Sequence, residues 1–223
     1  MDVAPYLEFK DEKLYNITED VKVCDNMSLV IMIKCSDGIV CGADSRSTLN
    51  DGNTIKSAGN VCKVFSNDNI IVGTFGINQI TVPTQYTSQF IKMALKSKEK
   101  IENVIGRIIN NSIDRDEFLG EFQKQLVDDV NTFEFFIGYK ENTEYKIDYV
   151  KINRNNCECT EIELNIIMCN SNFSYNEPKI NRQITVDVGC EVVRDMIEFT
   201  EKLQEKVLQY QTVAGDVIIK VLK

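Results

Sequence analysis

Ser28-Leu29-Val30-Ile31-Met32-Ile33-Lys34-Cys35-Ser36-Asp37-Gly38-Ile39-Val40-Cys41-Gly42-Ala43-Asp44-Ser45-Arg46 is the stretch whose reading decides the fold. Leu29 to Ile33 is a continuous apolar run, Ser36-Asp37-Gly38 supplies turn chemistry, and Ile39 to Ala43 is a second run. Two β-rich segments around an Asp-Gly turn predict a hairpin. Apolarity that is continuous rather than alternating predicts strands covered on both faces. The hairpin is therefore expected inside a layered core.

Working outward, residues 1 to 26 are polar, charged and weakly patterned, and read as a leader or an appended arm. Residues 47 to 60 are rich in Ser, Thr, Asn and Gly and read as a loop. Strands are expected at Val61 to Phe65 and Ile70 to Phe75, joined by Ser66-Asn67-Asp68-Asn69. Two helical blocks follow, Gln85 to Lys98 and Glu102 to Val130, the second broken near Asn111 to Asp114. Phe118, Phe122, Leu126 and Val130 recur at helical spacing and make a core face. Strands resume at Phe133 to Tyr139, Tyr145 to Ile152 and Cys159 to Met168, then a helix over 185 to 210 and a last strand from Asp216 to Leu222. Helices gathered in blocks, not alternating with strands, indicate α+β layering.

Composition removes several functions. Net charge is −9 with no separate basic cluster, which argues against a nucleic-acid surface that must displace counterions from phosphates. The nearest candidate, Lys96-Ser97-Lys98-Glu99-Lys100, reads as a solvated helix end. No stretch approaches the ~20 apolar residues of a membrane span, and Met1 to Lys13 lacks the apolar core of a signal peptide. A cytoplasmic protein with reduced cysteines is expected. Cys157-Glu158-Cys159 is the one close cysteine spacing, and without a second pair it predicts no zinc site. The chain has no histidine, which excludes Ser-His-Asp and Cys-His catalysis and every imidazole-based metal site. No metal and no cofactor are expected. A hydrolase built on this chain needs another general base.

The Ser28 to Arg46 stretch resembles the opening of a proteasome β-subunit or HslV, members of the N-terminal-nucleophile (Ntn) hydrolase family. Such a chain begins with a nucleophilic Thr and runs through a strand to a turn Gly and an Ala-Asp-Ser-Arg segment. Ser28 falls at the nucleophile position, Gly38 at the turn and Asp44 at the catalytic carboxylate, without a gap. Lys63-Val64-Phe65 resembles the family's catalytic lysine and its strand, and Gly73-Thr74-Phe75-Gly76 the strand beside the substrate cleft. The resemblance implies a four-layer αββα sandwich of two stacked, mainly antiparallel sheets flanked by helices, formed by residues 28–223 as a single domain. Residues 1–27 are then a leader, a propeptide or an assembly arm. It implies a peptidase acting on peptide or protein substrates, assembled as a homo-oligomeric ring, with an ATPase unfoldase as a further partner.

The chemistry of these residues is coherent on its own terms. A serine hydroxyl is a weak nucleophile and needs an adjacent base. A free α-amino group, with a pKa of about 7.7 to 8, has a usable neutral fraction. A nearby Lys63 ammonium favours that neutral amine and lowers the hydroxyl pKa, and Asp44 orients the lysine. Arg46 is expected as a structural ion-pair partner, and Phe75 and Gly76 at the substrate cleft.

The chain also departs from the family pattern. Ser28 replaces Thr and is internal, preceded by Met27 where self-cleaving members carry Gly. The family's Gly-Ser-Gly turn corresponds to Asn170-Ser171-Asn172, with Ser171 retaining the hydroxyl, and a later family Asp falls on Leu208 or Gln209. Initiation at Met27 followed by methionine removal is a second route to a free Ser28 amine. Two alternatives stay open beside the peptidase: a non-catalytic proteasome-like subunit with a retained N-terminal arm, and a small-molecule amidohydrolase on the same fold.

Overall fold

A computed structural model describes residues 29–50, 55–76, 79–84, 95–127, 132–162, 166–169, 184–207 and 213–223. The predicted hairpin is present. Strand β1 (Val30–Cys35) pairs antiparallel with β2 (Gly38–Asp44), with Val30 opposite Ala43 and Cys35 opposite Gly38, leaving Ser36 and Asp37 as the turn. Both strands are buried almost throughout, as their unbroken apolarity requires.

Two neighbouring segments differ from the sequence reading. Residues 47 to 60 are not a plain loop: β3 (Arg46–Asn50) pairs antiparallel with β4 (Ile55–Asn60) as a two-stranded ribbon. A ribbon outside the main sheets needs no apolar face, so its polar composition hid it. The next strands are β5 (Val64–Ser66) and β6 (Ile70–Phe75). Strand β7 (Gln79–Thr84) then pairs with β8 (Leu95–Lys100). The expected helix Gln85 to Lys98 is thus extended over 95–98, and residues 85–94 lie outside the described residues. The Lys96 to Lys100 charge run lies in a strand, where backbone pairing with β7 overrides a weak helical preference.

Helices α1 (Ile101–Ile109) and α2 (Arg115–Lys124) flank the predicted break. Asp114 starts α2 by accepting a hydrogen bond from the Glu117 N–H at 2.9 Å. Strands β9 (Phe133–Glu141), β10 (Glu144–Ile152), β11 (Cys157–Glu161) and β12 (Ile166–Cys169) follow. Helix α3 (Val186–Val207) and strand β13 (Val217–Leu222) close the chain. The strand expected from Cys159 to Met168 is split between two sheets. One sheet runs β12-β1-β2-β13 and the other β11-β10-β9-β6-β5, every pairing antiparallel.

Side chains alternate across each strand and sort into three apolar cores. Val30, Met32, Ile39 and Cys41 of the four-stranded sheet meet Val64, Ile71, Phe136 and Ile147 of the five-stranded one. The opposite face of the five-stranded sheet, through Ile70, Val72, Phe135 and Val150, packs on Ile105, Phe118 and Phe122 of α1 and α2. Phe118 and Phe122 meet Phe135 edge-on, at ring-centroid distances of 5.9 and 5.5 Å. Ile31, Ile33 and Val40 on the outer face of the four-stranded sheet pack on Val186, Val193 and Ile197 of α3. The β1–β2 turn also fixes where α3 starts, because Asp37 Oδ1 accepts from the Val186 N–H at 2.8 Å.

Helix α3 approaches β2 so closely that a Cβ built on Gly42 falls 2.2 Å from Val193 Cγ1. Gly42→Ala is therefore expected to lower stability by about 1–3 kcal/mol through overpacking. Val193→Ala in the same chain should return part of that loss, measured by urea denaturation. If Gly42→Ala cost the same in the wild-type and Val193→Ala backgrounds, the helix would not be pressing on this strand.

Candidate functional site

Strand β2 ends on Asp44, which is completely buried. Its Oδ1 accepts the Leu29 N–H and the Lys63 Nζ, each at 2.9 Å. Its Oδ2 accepts the Arg46 N–H at 3.2 Å and the Ala214 N–H at 3.5 Å. Every partner is a donor, so the ionised carboxylate, which only accepts, is the form these contacts fit.

Lys63 is 5% exposed and comes from the segment between β4 and β5. Its backbone is held on both sides. The Lys63 carbonyl accepts the Thr74 N–H at 2.8 Å and the Thr74 hydroxyl at 3.3 Å, from β6. The preceding Cys62 N–H donates to Glu102 Oε2 of α1 at 2.8 Å. Burial pulls the Lys63 ammonium below the ordinary lysine value of 10.5, opposed by the attraction of Asp44. Burial likewise pushes the Asp44 carboxyl above its ordinary range, opposed by Lys63 and by the Leu29 and Ala214 amides.

A third segment, residues 213 to 216, closes over the pair. Ala214 donates to Asp44, and its carbonyl accepts the Arg46 N–H at 3.1 Å. Asp216 N–H donates to Ser45 Oγ at 2.9 Å. Between them Gly215 takes φ +87°, and a Cβ there would fall 2.5 Å from Ser45 Oγ. Glycine alone meets both demands. Helix α3 steadies the segment through Gln204, whose Oε1 accepts the Val213 N–H at 2.8 Å.

The structure brings Asp44 and Lys63 together as the sequence proposed. Asp44 also accepts the N–H of Leu29, the residue that follows Ser28 in the chain. Ser28 itself lies outside the described residues, as do Met27, Ser171, Leu208 and Gln209. The Arg46 N–H donates to Asp44 Oδ2 and to the Ala214 carbonyl. The Phe75 side chain is buried between the sheets, its ring 4.9 Å from that of Phe136 and 6.3 Å from that of Tyr149. On β6 the alternation turns that ring inward. Gly76 ends the strand half-buried at φ +85°.

Sequence reasoning missed Thr74, Glu102 and the 213–216 segment. Thr74 left a faint signal as the one polar residue in Ile70-Ile71-Val72-Gly73-Thr74-Phe75, and Ala214-Gly215-Asp216 had turn chemistry. Glu102 left none. Among the described residues no group of three or more His, Cys, Asp or Glu gathers to hold a metal ion. No described helix is long and apolar enough to cross a membrane.

No protein-family model matches the chain, and no curated protein matches it. One similar solved structure is the Anbu (Gly-1) mutant from Hyphomicrobium sp. strain MC1, 11% identical with a TM-score of 0.47. The match covers 88% of this chain and 82% of that one. At so distant a likeness, function rests on the geometry of the site itself.

Breaking a buried ion pair leaves one charge without a partner. Lys63→Met is therefore expected to destabilise the chain by about 3–5 kcal/mol in urea denaturation, and the double change Asp44→Asn with Lys63→Met to cost clearly less. Equal losses would refute a paired role. The lowered Lys63 value also sets a pH slope. The folded chain releases this proton below 10.5 while the unfolded chain still holds it. Stability then gains a rising contribution with pH in the alkaline range below 10.5. That slope should vanish in the Lys63→Met, Asp44→Asn chain.

Proposed function

We propose that this chain is a proteasome-like subunit of the Ntn type that hydrolyses peptide bonds with Ser28, once the residues before it are removed. One observation carries the reading: the buried Asp44–Lys63 pair is hydrogen-bonded to the Leu29 N–H, the first backbone donor after Ser28. In a chain without histidine this supplies a cation beside the proposed nucleophile, held by a carboxylate that is itself fully partnered. The three apolar cores support reading the layers as an αββα sandwich, with α1 and α2 outside one sheet and α3 outside the other.

In this reading the free Ser28 amine takes the proton from Ser28 Oγ as Oγ attacks the carbonyl carbon of the scissile amide. The amine then returns that proton to the leaving nitrogen, and the peptide bond breaks to give an ester on Oγ. Water, deprotonated by the same amine, attacks the ester and releases the acid. The Lys63 ammonium keeps the amine neutral at working pH and stabilises the developing negative charge on Oγ. In this reading Ser171 contributes its hydroxyl to the reaction, and Gly76 borders the substrate. The reading includes a homo-oligomeric ring, fed with unfolded chains by an ATPase. Met27 before Ser28 and the asparagines flanking Ser171 favour a second reading, a non-catalytic subunit whose N-terminal arm stays attached.

A chain beginning at Ser28 is expected to cleave fluorogenic peptides. Ser28→Ala should lower kcat by at least about a thousandfold, the scale seen when a nucleophile is removed. Cleavage that survives Ser28→Ala would overturn the proposed nucleophile. A Ser28 chain that forms rings by native mass yet cleaves no peptide would favour the non-catalytic reading.

A further inference from the structure

Away from the Asp44–Lys63 site, strand β11 is the edge of the five-stranded sheet and carries Cys157 and Cys159 two residues apart. Alternation places both on one face, and their sulfurs are 3.9 Å apart. Cys157 is half-buried against the core under α1 and α2, whereas Cys159 is exposed. The pair is thus anchored on one side and open on the other.

Arg115, the first residue of α2, lies close enough to both thiols to act on them electrostatically. Its guanidinium binds Asp148 at 2.7 Å and Asp116 at 3.0 Å and sits over the Tyr139 ring at 5.1 Å. Its Nε–H is buried and meets no acceptor among the described residues. A buried N–H without an acceptor is rare.

We propose that Cys157 and Cys159 form a two-thiolate site for a soft metal ion of low coordination number, copper(I) in class. At a metal–sulfur bond of about 2.3 Å, the length typical of zinc thiolates, the 3.9 Å separation subtends about 116° at the metal. That is close to a trigonal angle, so both sulfurs reach one ion without moving the strand. No third ligand gathers among the described residues, which disfavours ions that need four and suits one satisfied by two or three. Binding is balanced as one copper(I) ion replacing two thiol protons, leaving a bis-thiolate complex of charge −1. The Arg115 cation offsets part of that charge. The exposed edge leaves the third position open to a small thiol, which gives an exchangeable site.

The test is an anaerobic titration of the reduced full chain with copper(I), in competition with a chromophoric copper(I) chelator. Wild type and Cys190→Ser are expected to withdraw one more equivalent from the chelator than Cys157→Ser or Cys159→Ser. Loss of one thiolate removes the chelate and should weaken that equivalent at least about tenfold. Cys159 is exposed, so its serine variant keeps the fold, which far-ultraviolet circular dichroism verifies. Equal copper uptake by wild type and a folded Cys159→Ser would overturn the proposal.

Discussion

A carboxylate withdrawn from water must have its lone pairs met by donors, and Asp44 draws its donors from three distant parts of the chain. Leu29 lies just before β1, Lys63 before β5 and Ala214 before β13, while Arg46 lies two residues along the chain. The net stabilisation from such a pair is modest, because burial costs both charges. Its strength lies in what it forbids. Any arrangement that moves one of these segments strands a buried charge or a buried N–H, so the two sheets and the last strand are held in one register about this point.

The remainder of the molecule makes that point dry. Between the sheets, Cys41 and Ala43 of β2 face Val64 of β5 beside the ion pair. Helix α3 covers the other side and, through Gln204, holds the segment that supplies the Ala214 N–H. Helix α1 reaches the same site through Glu102 and the Cys62 N–H. Each layer therefore ends in a polar contact that bears on Asp44 or Lys63. Packing and chemistry depend on the same few residues.

Lys63 illustrates how burial and pairing oppose each other. Low dielectric weakens the ammonium while Asp44 sustains it, and the balance leaves a lysine more ready to release its proton than one in water. The Arg115 cluster handles the same physics differently. There the charge is shared among Asp148, Asp116 and the Tyr139 face, and one N–H is left over.

Sequence alone determined the β1–β2 hairpin, since an unbroken apolar run on each side of a short polar turn has few other ways to be buried. It also located the break at Asn111 to Asp114, the aromatic face of α2 and the long helix α3, because period and capping are local properties. Asp44 and Lys63 were legible as a pair through the resemblance of their spacing, not through physics that spacing alone could supply. Tertiary structure decided the rest. The β3–β4 ribbon and β8 are strands because neighbouring backbone satisfies them, a contact that no local propensity encodes. The Phe75 ring faces the core because strand alternation on β6 turns it inward. Ala214 reaches Asp44 across 170 residues of chain, and only the folded backbone brings such distant donors to one carboxylate.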